Sequence, residues 1–219
     1  MQWLKEHKFT LILLILPFVV LPFIWGQIPD EIPIHWNLKG EPDGYGPKTM
    51  HLVIPFVNIG LAFLFRYIPN LDPKRNTALF QDTIDRFMNG TILMLLTLWG
   101  FMSALFIGYP VKIDAVVGVS VLLLMLFMGN FMGKVRPGYF IGLRTPWTLE
   151  NETVWTKTHR LTGWIWVVGS LCMLFIRLFI GGAPFFWLLI GFISIGTLIP
   201  VAYSYVLFRK LQRDGEKNL

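Results

Sequence analysis

Two polar segments interrupt an otherwise apolar sequence, and each contains residue types that could do chemistry. In the first segment, residues 27–49, His35 closely precedes Glu41 and Asp43. An imidazole beside carboxylates could ligate a metal ion or act as a general base, but this spacing matches no established metal-binding pattern. We therefore favour a compact cap fastened by hydrogen bonds over a peptide- or ligand-binding surface, and either of these over a metal or catalytic site.

Turn-forming and aromatic residues give the first segment a defined shape. Proline presets φ and glycine accepts positive φ, so Pro42-Asp43-Gly44 predicts a tight turn. Residues 32–36 alternate enough to predict a short extended stretch. Amphipathic rings such as those of Trp36 and Tyr45 settle at a bilayer interface. The candidate ligand-binding or structural residues of this segment are His35, Trp36, Asn37, Gly40, Asp43 and Tyr45.

The second polar segment, residues 134–160, contains the signal for a helix start. A side-chain acceptor followed by proline or by acidic residues is typical of the first turn of a helix. Thr145 before Pro146 fits this pattern, and so does Thr148 before Glu150 and Glu152. We expect a short helix here that leads into the next apolar run.

A polar stripe is expected along that helix, because Glu152, Thr156 and His159 fall on one face. The stripe could bind a ligand or relay protons. It could equally be a hydrogen-bonded network that pins Arg144 and seats the loop, which we favour. Catalysis is least favoured, since no His-Glu-x-x-His spacing occurs. The candidate partner-binding or switch residues are Arg144, Thr145, Trp147, Glu152, Trp155, His159 and Arg160.

The elements that must position these segments are long and apolar. Of 219 residues, 54% are hydrophobic and 15% are charged, whereas a soluble domain has about 25% charged residues. Six apolar runs approach the length that crosses roughly 30 Å of hydrocarbon; they are 9–26, 50–68, 87–108, 115–133, 161–180 and 185–208. We predict an all-α membrane protein, a single membrane domain over 1–219, formed by a six-transmembrane-helix bundle with a structured outer loop (27–49) and a helical cytoplasmic-side loop (134–160).

The basic residues orient this bundle and account for the net charge of +6. Cytoplasmic flanks of membrane spans are enriched in Lys and Arg. With the N-terminus inside, 15 of the 19 basic residues lie in cytoplasmic flanks, three lie in outer loops (Lys39, Lys48, Lys112), and Arg177 lies within a helix. This predicts a bacterial cytoplasmic membrane with both termini cytoplasmic, and no direct nucleic-acid binding. Arg177 is expected to snorkel to the outer headgroups.

Both polar segments carry motifs that resemble known families. Pro33-x-His35-Trp36-Asn37-x-x-Gly40-x-Pro42-Asp43 resembles the N-terminal signature of a domain of unknown function in bacterial membrane proteins. Gly142-Leu-Arg144-Thr145-Pro146-Trp147-Thr148-Leu, followed by Glu152-x-x-Trp155-x-x-Thr158-His159-Arg160, resembles the signature of the SdpI immunity-protein family. The two motifs in this order, on six spans, resemble a full-length protein of the SdpI type, so the resemblance covers nearly the whole chain. Gly138 departs from the family pattern, where asparagine is expected.

The resemblance implies a non-enzymatic immunity protein. Such a protein protects a Gram-positive cell from a secreted peptide toxin that delays sporulation by attacking the membrane. The resemblance also implies a receptor role, in which toxin outside causes the membrane protein to hold a small DNA-binding autorepressor at the membrane. The implied partners are the toxin, the autorepressor and membrane lipid, and no cofactor or metal is implied. The outer motif would meet or position the toxin, and the inner motif would support or switch the partner-facing loop.

Two other classes of function stay open from the sequence. Six spans interrupted by glycine and proline could form a small-molecule or ion transporter, although no charged pair marks the midplane where coupling sites lie. A membrane-embedded enzyme could use His35, Glu152 or His159. The predicted topology places His35 across the membrane from the other two, so a shared site would need a deeply re-entering loop.

Overall fold

Helices dominate the computed structural model, which describes residues 7–71 and 81–216. The helices are α1 (Lys8–Ile24), α2 (Val53–Leu71), α3 (Gln81–Phe106), α4 (Ile113–Met132), α5 (Pro146–Glu150), α6 (Glu152–Arg177) and α7 (Gly182–Glu216). Between α1 and α2 lie an antiparallel hairpin, β1 (Glu31–Trp36) and β2 (Pro42–Pro47), and a 3₁₀ helix (Lys48–Leu52). The short extended stretch predicted at 32–36 is therefore confirmed as part of β1.

Five helical stretches in the described ranges are long and apolar enough to cross a membrane: Lys48–Tyr67, Gln81–Phe106, Ile113–Met132, Glu152–Arg177 and Gly182–Asp214. The apolar helix α1 is shorter, with 17 residues, or about 26 Å. Large apolar side chains point outward from the bundle, as Phe63, Phe175 and Leu198 do, and hydrocarbon accommodates such a surface whereas water does not. The chain is an all-α multi-pass membrane protein; a sixth span through α1 stays a prediction.

The backbones of α4 and α6 approach each other at a pair of glycines. A Cβ atom on Gly163 would lie 2.7 Å from the carbonyl oxygen of Gly129. Small residues permit such close packing between membrane helices, where dispersion and interhelical hydrogen bonds replace the hydrophobic drive. Helix α6 also packs against α7, while α3 packs against α1, α2 and α4. Helix α4 thus joins the first three helices to the last two.

Two buried apolar clusters mark opposite ends of the bundle. The cluster where α3 and α6 begin and α4 ends contains Ile84, Phe87, Met132, Val135 and Trp155. The cluster where α3 ends contains Ile28, Ile32 and Phe106. Along α3, Phe106 comes 22 positions after Ile84, which is a rise of about 33 Å. Each polar segment is therefore seated on its own apolar cluster, a membrane thickness away from the other.

The inner segment contains two helices where the sequence predicts one short helix leading into the fifth span. The predicted start at Thr145 is confirmed, because Thr145 caps α5. A start at Thr148 is wrong, since Thr148 lies inside α5 and Asn151 caps α6 by accepting from the Val154 N–H. Helix α6 therefore begins at Glu152, well before the predicted span at 161–180, because a capping side chain nucleates it there.

Candidate functional site

Asn37 organises the turn of the outer hairpin. Its side-chain oxygen accepts from the backbone N–H groups of Lys39 and Glu41 at 2.8 and 3.1 Å, and its amide donates to the Glu41 carboxylate at 3.0 Å. Gly40 has φ +79°, a conformation that favours glycine. The tight turn predicted at 42–44 is wrong, because the Asn37 hydrogen bonds turn the chain earlier and those residues belong to β2.

His35 and Asp43 pair across the two strands at the surface. The ring Nδ1 lies 2.5 Å from Asp43 Oδ1, with the two side chains 70% and 44% exposed. Gly44 lies opposite His35, and a Cβ atom there would approach that of His35 to 3.0 Å. Glu41 bonds to Asn37 and does not join this pair. Among the residues that the structure describes, no group of three or more His, Cys, Asp or Glu could hold a metal ion.

The hairpin is seated firmly on the end of the bundle where α3 ends. Ile28 and Ile32 are buried against Phe106. At the base of the hairpin, Asp30 accepts from Lys48 at 2.8 Å. The hydrogen bond and charge of Lys48 hold the pKa of Asp30 below its ordinary value of 3.8. Burial of Ile28 and Ile32 against Phe106 therefore anchors the hairpin to the bundle, and the Asp30–Lys48 ion pair joins the two chain segments at its base.

The exposed residues of the hairpin and its flanks combine apolar groups with the polar pair. We define the hairpin surface as Ile34, His35, Leu38, Asp43, Tyr45 and Met50, all of which are exposed. A Cβ atom on Gly46 would lie 3.1 Å from the Ile34 side chain and 3.5 Å from that of Met50, so these two apolar groups converge over the glycine. Trp36 is half-buried beside this surface.

A buried histidine that sequence reasoning missed lies beneath the hairpin. The His51 ring is 4% exposed, and its Nε2 lies 2.8 Å from Ser103 Oγ. It stacks on Trp99 at 5.0 Å, and the Trp99 indole donates to the His51 carbonyl. The available signal was an ionisable residue inside a predicted span, which membrane helices retain for structure or function.

Asp114, also missed, connects three elements at the same end of the bundle as the hairpin. Its carboxylate accepts from Arg177 at 3.0 Å and from the Gly182 N–H at 3.1 Å. A Cβ atom on Gly40 would lie 3.8 Å from that of Asp114, so the hairpin turn rests on the same residue. The expectation that Arg177 snorkels to headgroups is wrong, because its side chain, 15% exposed, is held by Asp114.

His159 is the centre of the inner segment. It is fully buried, its Nε2 accepts from the Leu143 N–H at 2.9 Å, and its Nδ1 lies 2.9 Å from the Trp155 carbonyl. A backbone N–H can only donate, so Nε2 supplies a lone pair and Nδ1 carries the hydrogen. The imidazole is thereby neutral, and it stacks on the Trp155 ring at 4.1 Å.

Gly142 and Trp155 complete the packing around this imidazole. Gly142 has φ +110°, and a Cβ atom there would collide with His159 Nε2 and approach the Trp155 ring to 3.0 Å. The buried Trp155 indole donates to the Val135 carbonyl at 2.8 Å. Each buried polar group of this set thus has a partner, as a low-dielectric interior requires.

A capping box connects the loop to α5. The Thr148 N–H donates to the Thr145 hydroxyl, while the Thr145 N–H donates to the Thr148 hydroxyl at 2.8 Å. The Thr148 hydroxyl in turn donates to the Leu143 carbonyl at 2.9 Å. The two threonines therefore position Leu143, whose N–H holds His159.

Trp147 attaches the inner segment to α7. Its indole donates to the Ser204 hydroxyl at 2.5 Å, and that hydroxyl donates to the Val201 carbonyl. The indole ring also meets the Tyr205 ring edge-on at 5.2 Å. The short helix α5 is therefore fastened on two sides, to α6 through His159 and to α7 through Trp147.

The charged residues of the inner segment lie on its exposed surface. Glu152 is exposed and reaches Arg136 at 4.0 Å, and Arg160 is exposed. The exposed Arg144 guanidinium donates to the Tyr139 carbonyl. The predicted polar stripe is divided, because His159 is buried while Glu152 faces outward; Thr156 between them is half-buried.

Comparisons with known proteins agree with this division into two segments. The model of the SdpI/YfhL protein family matches residues 134–204, and that of a domain of unknown function (DUF1648) matches residues 12–59. The chain is 27% identical over 209 residues to the immunity protein SdpI of Bacillus subtilis (strain 168), covering 95% of this chain and 98% of the relative. No solved structure matches the chain significantly.

The fold and the two segments define a class: a multi-pass helical membrane protein with a β-hairpin at one end and a buried His-Trp-Thr network at the other. Within that class, the predicted resemblance to the SdpI immunity-protein family is confirmed: the family model matches residues 134–204, and the similarity to the Bacillus subtilis immunity protein covers 95% of the chain.

Proposed function

We propose that this membrane protein gives its cell immunity to a secreted antimicrobial peptide of the sporulation-delaying type, without catalysing a reaction. The observation that carries the proposal is the extent of the similarity to an immunity protein, 95% of this chain. The two family matches also coincide with structural units, since residues 12–59 contain the hairpin and residues 134–204 contain the buried network. The similarity thus includes both segments that could carry the function.

The proposed topology has six spans and places both termini in the cytoplasm of a bacterial cell. The distribution of Lys and Arg supports this orientation. The hairpin and the inner segment are seated at opposite ends of the bundle. With the termini inside, the hairpin faces the exterior, where a secreted peptide arrives, and the inner segment faces the cytoplasm.

The hairpin surface is the proposed contact for the toxin. A peptide that attacks membranes must present apolar groups, and the hairpin surface offers Ile34, Tyr45 and Met50 in exposed positions. The exposed His35–Asp43 pair supplies polar contacts beside them. Interfaces combine an apolar centre with a polar rim in this way. Asn37 and Gly40 serve as positioning residues, because they shape the turn.

A non-catalytic role agrees with the chemistry of the buried histidine. A general base must offer a lone pair to the proton that it abstracts. In His159, Nε2 accepts from Leu143 and Nδ1 bonds to the Trp155 carbonyl. The ring has no site left for a substrate, and it lies at the opposite end of the bundle from His35.

We also propose a receptor role, in which the inner segment holds a small DNA-binding autorepressor when toxin is bound. A continuous set of contacts favours it: the hairpin turn rests on Asp114, Asp114 pairs with Arg177 at the end of α6, and α6 begins in the inner segment. If toxin and repressor favour the same conformation, each raises the affinity for the other by the same factor.

Survival of a toxin-sensitive bacterial strain tests the immunity proposal. The strain expresses the protein or a variant, is exposed to sporulation-delaying peptide, and is scored for survival at measured membrane abundance. We expect protection by the wild type and by Asp30→Asn, a control at the hairpin base. The His35→Ala/Asp43→Asn double variant should be abundant and unprotective. Absence of protection by an abundant wild-type protein would overturn the proposal.

A reporter under the immunity promoter tests the receptor role separately. We expect toxin to induce the reporter with the wild type and with Lys112→Gln, an exposed residue near Asp114. Asp114→Asn should leave survival largely intact but reduce induction, because it removes the negative charge that pairs with Arg177 of α6 beneath the hairpin turn. Full induction by Asp114→Asn would contradict the proposed route of coupling.

A further inference from the structure

A groove of about 470 Å³ lies between α3 and α4, with Phe9 of α1 at one end. Apolar side chains dominate its lining, among them Met94, Leu124 and Phe127. Leu93 and Leu123 line it from exposed positions, 47% and 51% accessible. The groove is therefore open toward the surroundings of the bundle, which are hydrocarbon for a spanning helix.

The length of the groove matches one leaflet of a bilayer. On α3 it extends from Arg86 to Thr97, a rise of about 16 Å at 1.5 Å per residue. Half of a hydrocarbon core roughly 30 Å thick is about 15 Å. On α4 the lining runs from Ser120 to Phe127. The length of the groove along α3 therefore approximately equals the thickness of the hydrocarbon layer of one leaflet.

Two cations converge at one end of this groove. The Arg86 guanidinium lies 5.6 Å and the Lys134 ammonium 5.2 Å from the centre of the same Phe131 ring. Phe131 in turn packs on Phe127 of the groove at 5.1 Å. In the described ranges, neither Arg86 nor Lys134 has a carboxylate within 4.0 Å. Both side chains are exposed, so their charge is available to a ligand.

We propose that the groove binds one anionic phospholipid, with an acyl chain along α3 and α4 and its phosphate between Arg86 and Lys134. Basic sites between membrane helices recognise anionic headgroups in this manner. Under the proposed topology, this end of the bundle faces the cytoplasmic leaflet. The cations and the apolar lining together favour a lipid, since a free anion would make no favourable contact with the apolar side chains of the groove.

The position of the headgroup connects this lipid to the inner segment. Phe131 packs against the buried cluster that contains Trp155 and Val135, and it meets Phe87 edge-on at 6.2 Å. A lipid phosphate held by the two cations therefore stabilises the ends of α3 and α4 on which the inner segment is seated.

Native mass spectrometry of the detergent-solubilised full chain tests the proposal, with phosphatidylglycerol and phosphatidylcholine as probes. We expect preferential binding of phosphatidylglycerol, and a roughly 25-fold weaker affinity for it in Arg86→Gln/Lys134→Gln, about fivefold per basic residue. The matched control is Arg209→Gln/Lys210→Gln, two exposed basic residues of α7, which should bind like the wild type. Leu93→Trp fills the groove without changing charge and should weaken the binding of both lipids.

Three outcomes would overturn the proposal. Equal phosphatidylglycerol affinity in Arg86→Gln/Lys134→Gln and the wild type would show that these two cations do not bind the lipid headgroup. An equal loss in the α7 control would indicate attraction to basic surfaces in general. Displacement of the lipid by inorganic phosphate at comparable concentration would indicate a free-anion site. If Leu93→Trp does not fold, the two surface double variants decide.

Discussion

The outer hairpin and the inner segment are similar in residue types and opposite in how they use them. Each has a histidine, an aromatic neighbour and a glycine at positive φ. The His35 side chain is 70% exposed and has one side-chain partner, Asp43. His159 is fully buried, with both ring nitrogens engaged and Trp155 stacked on it. The same residue type is therefore exposed and accessible to a ligand in one motif, and buried within the fold in the other.

The difference has an energetic consequence. Leaving a buried hydrogen-bonding group unsatisfied costs about 1–3 kcal/mol, whereas an exposed ion pair contributes about 0–1 kcal/mol. Substitutions in the buried network should therefore act through stability, and substitutions on the hairpin surface should act through function. The predictions below test that contrast, beginning with the largest expected effect.

Gly142→Ala should destabilise the protein most, by about 3 kcal/mol or more. The new Cβ atom would occupy the space of His159 Nε2 at a backbone φ of +110°, which combines steric overlap with strain. Thermal unfolding in detergent measures the effect. Gly191→Ala is the matched control, because its Cβ would meet nothing within 4 Å. Equal melting temperatures for the two variants would contradict the buried network.

His159→Ala should destabilise by about 3 kcal/mol, because it removes a buried ring and leaves the Leu143 N–H unpaired. The expected signs are a lower melting temperature and lower membrane abundance. Lys157→Ala, two residues earlier and exposed, is the control and should behave like the wild type. A normal melting temperature for His159→Ala would show that the protein does not need this residue for stability, and would contradict its structural role.

Asn37→Ala should weaken the hairpin alone, by roughly 1–2 kcal/mol, because two backbone N–H groups lose their acceptor. Hydrogen exchange should accelerate at residues 31–47 and stay unchanged in α6. Lys39→Ala keeps the backbone donors in place and is the control. Exchange that accelerates throughout the chain would show that the hairpin is not a local unit.

The smallest effect concerns the ion pair at the hairpin base. The pKa of Asp30 is lowered below 3.8 by Lys48. A carboxyl group whose folded-state pKa is depressed stabilises above its unfolded-state pKa, and this contribution is lost as pH falls through the folded-state pKa. Between pH 5 and pH 3, Asp30→Asn should therefore lose slightly less stability than the wild type. A larger acid sensitivity in the variant would be inconsistent with this pair.

Composition and the length of the apolar runs predicted the helical bundle, because lipid exposure forces every span to be long and apolar. The helix start at Thr145 was equally accessible, since capping depends on neighbouring residues. The shape of the hairpin could not be predicted from neighbouring residues in this way. Pro42-Asp43-Gly44 is a strong local turn signal, yet the Asn37 hydrogen bonds turn the chain earlier and place those residues in β2.

Long-range partners account for the remaining differences. Nothing near Arg177 in the sequence indicates Asp114, 63 residues away, and Ser103 is 52 residues from His51. The choice between a functional and a structural His159 also depends on Leu143 and Gly142, which approach it only after the loop folds back. Such contacts follow from helix packing, and a single sequence records them only as isolated polar residues.

Survival per membrane-inserted molecule tests the central contrast most directly. The toxin-sensitive strain would express the wild type, His35→Ala/Asp43→Asn or His159→Ala, with survival divided by the measured abundance of each. We predict that the hairpin double variant is abundant but unprotective, while His159→Ala protects in proportion to the protein that remains. Full protection by the hairpin variant, together with an abundant but inactive His159→Ala, would contradict the account.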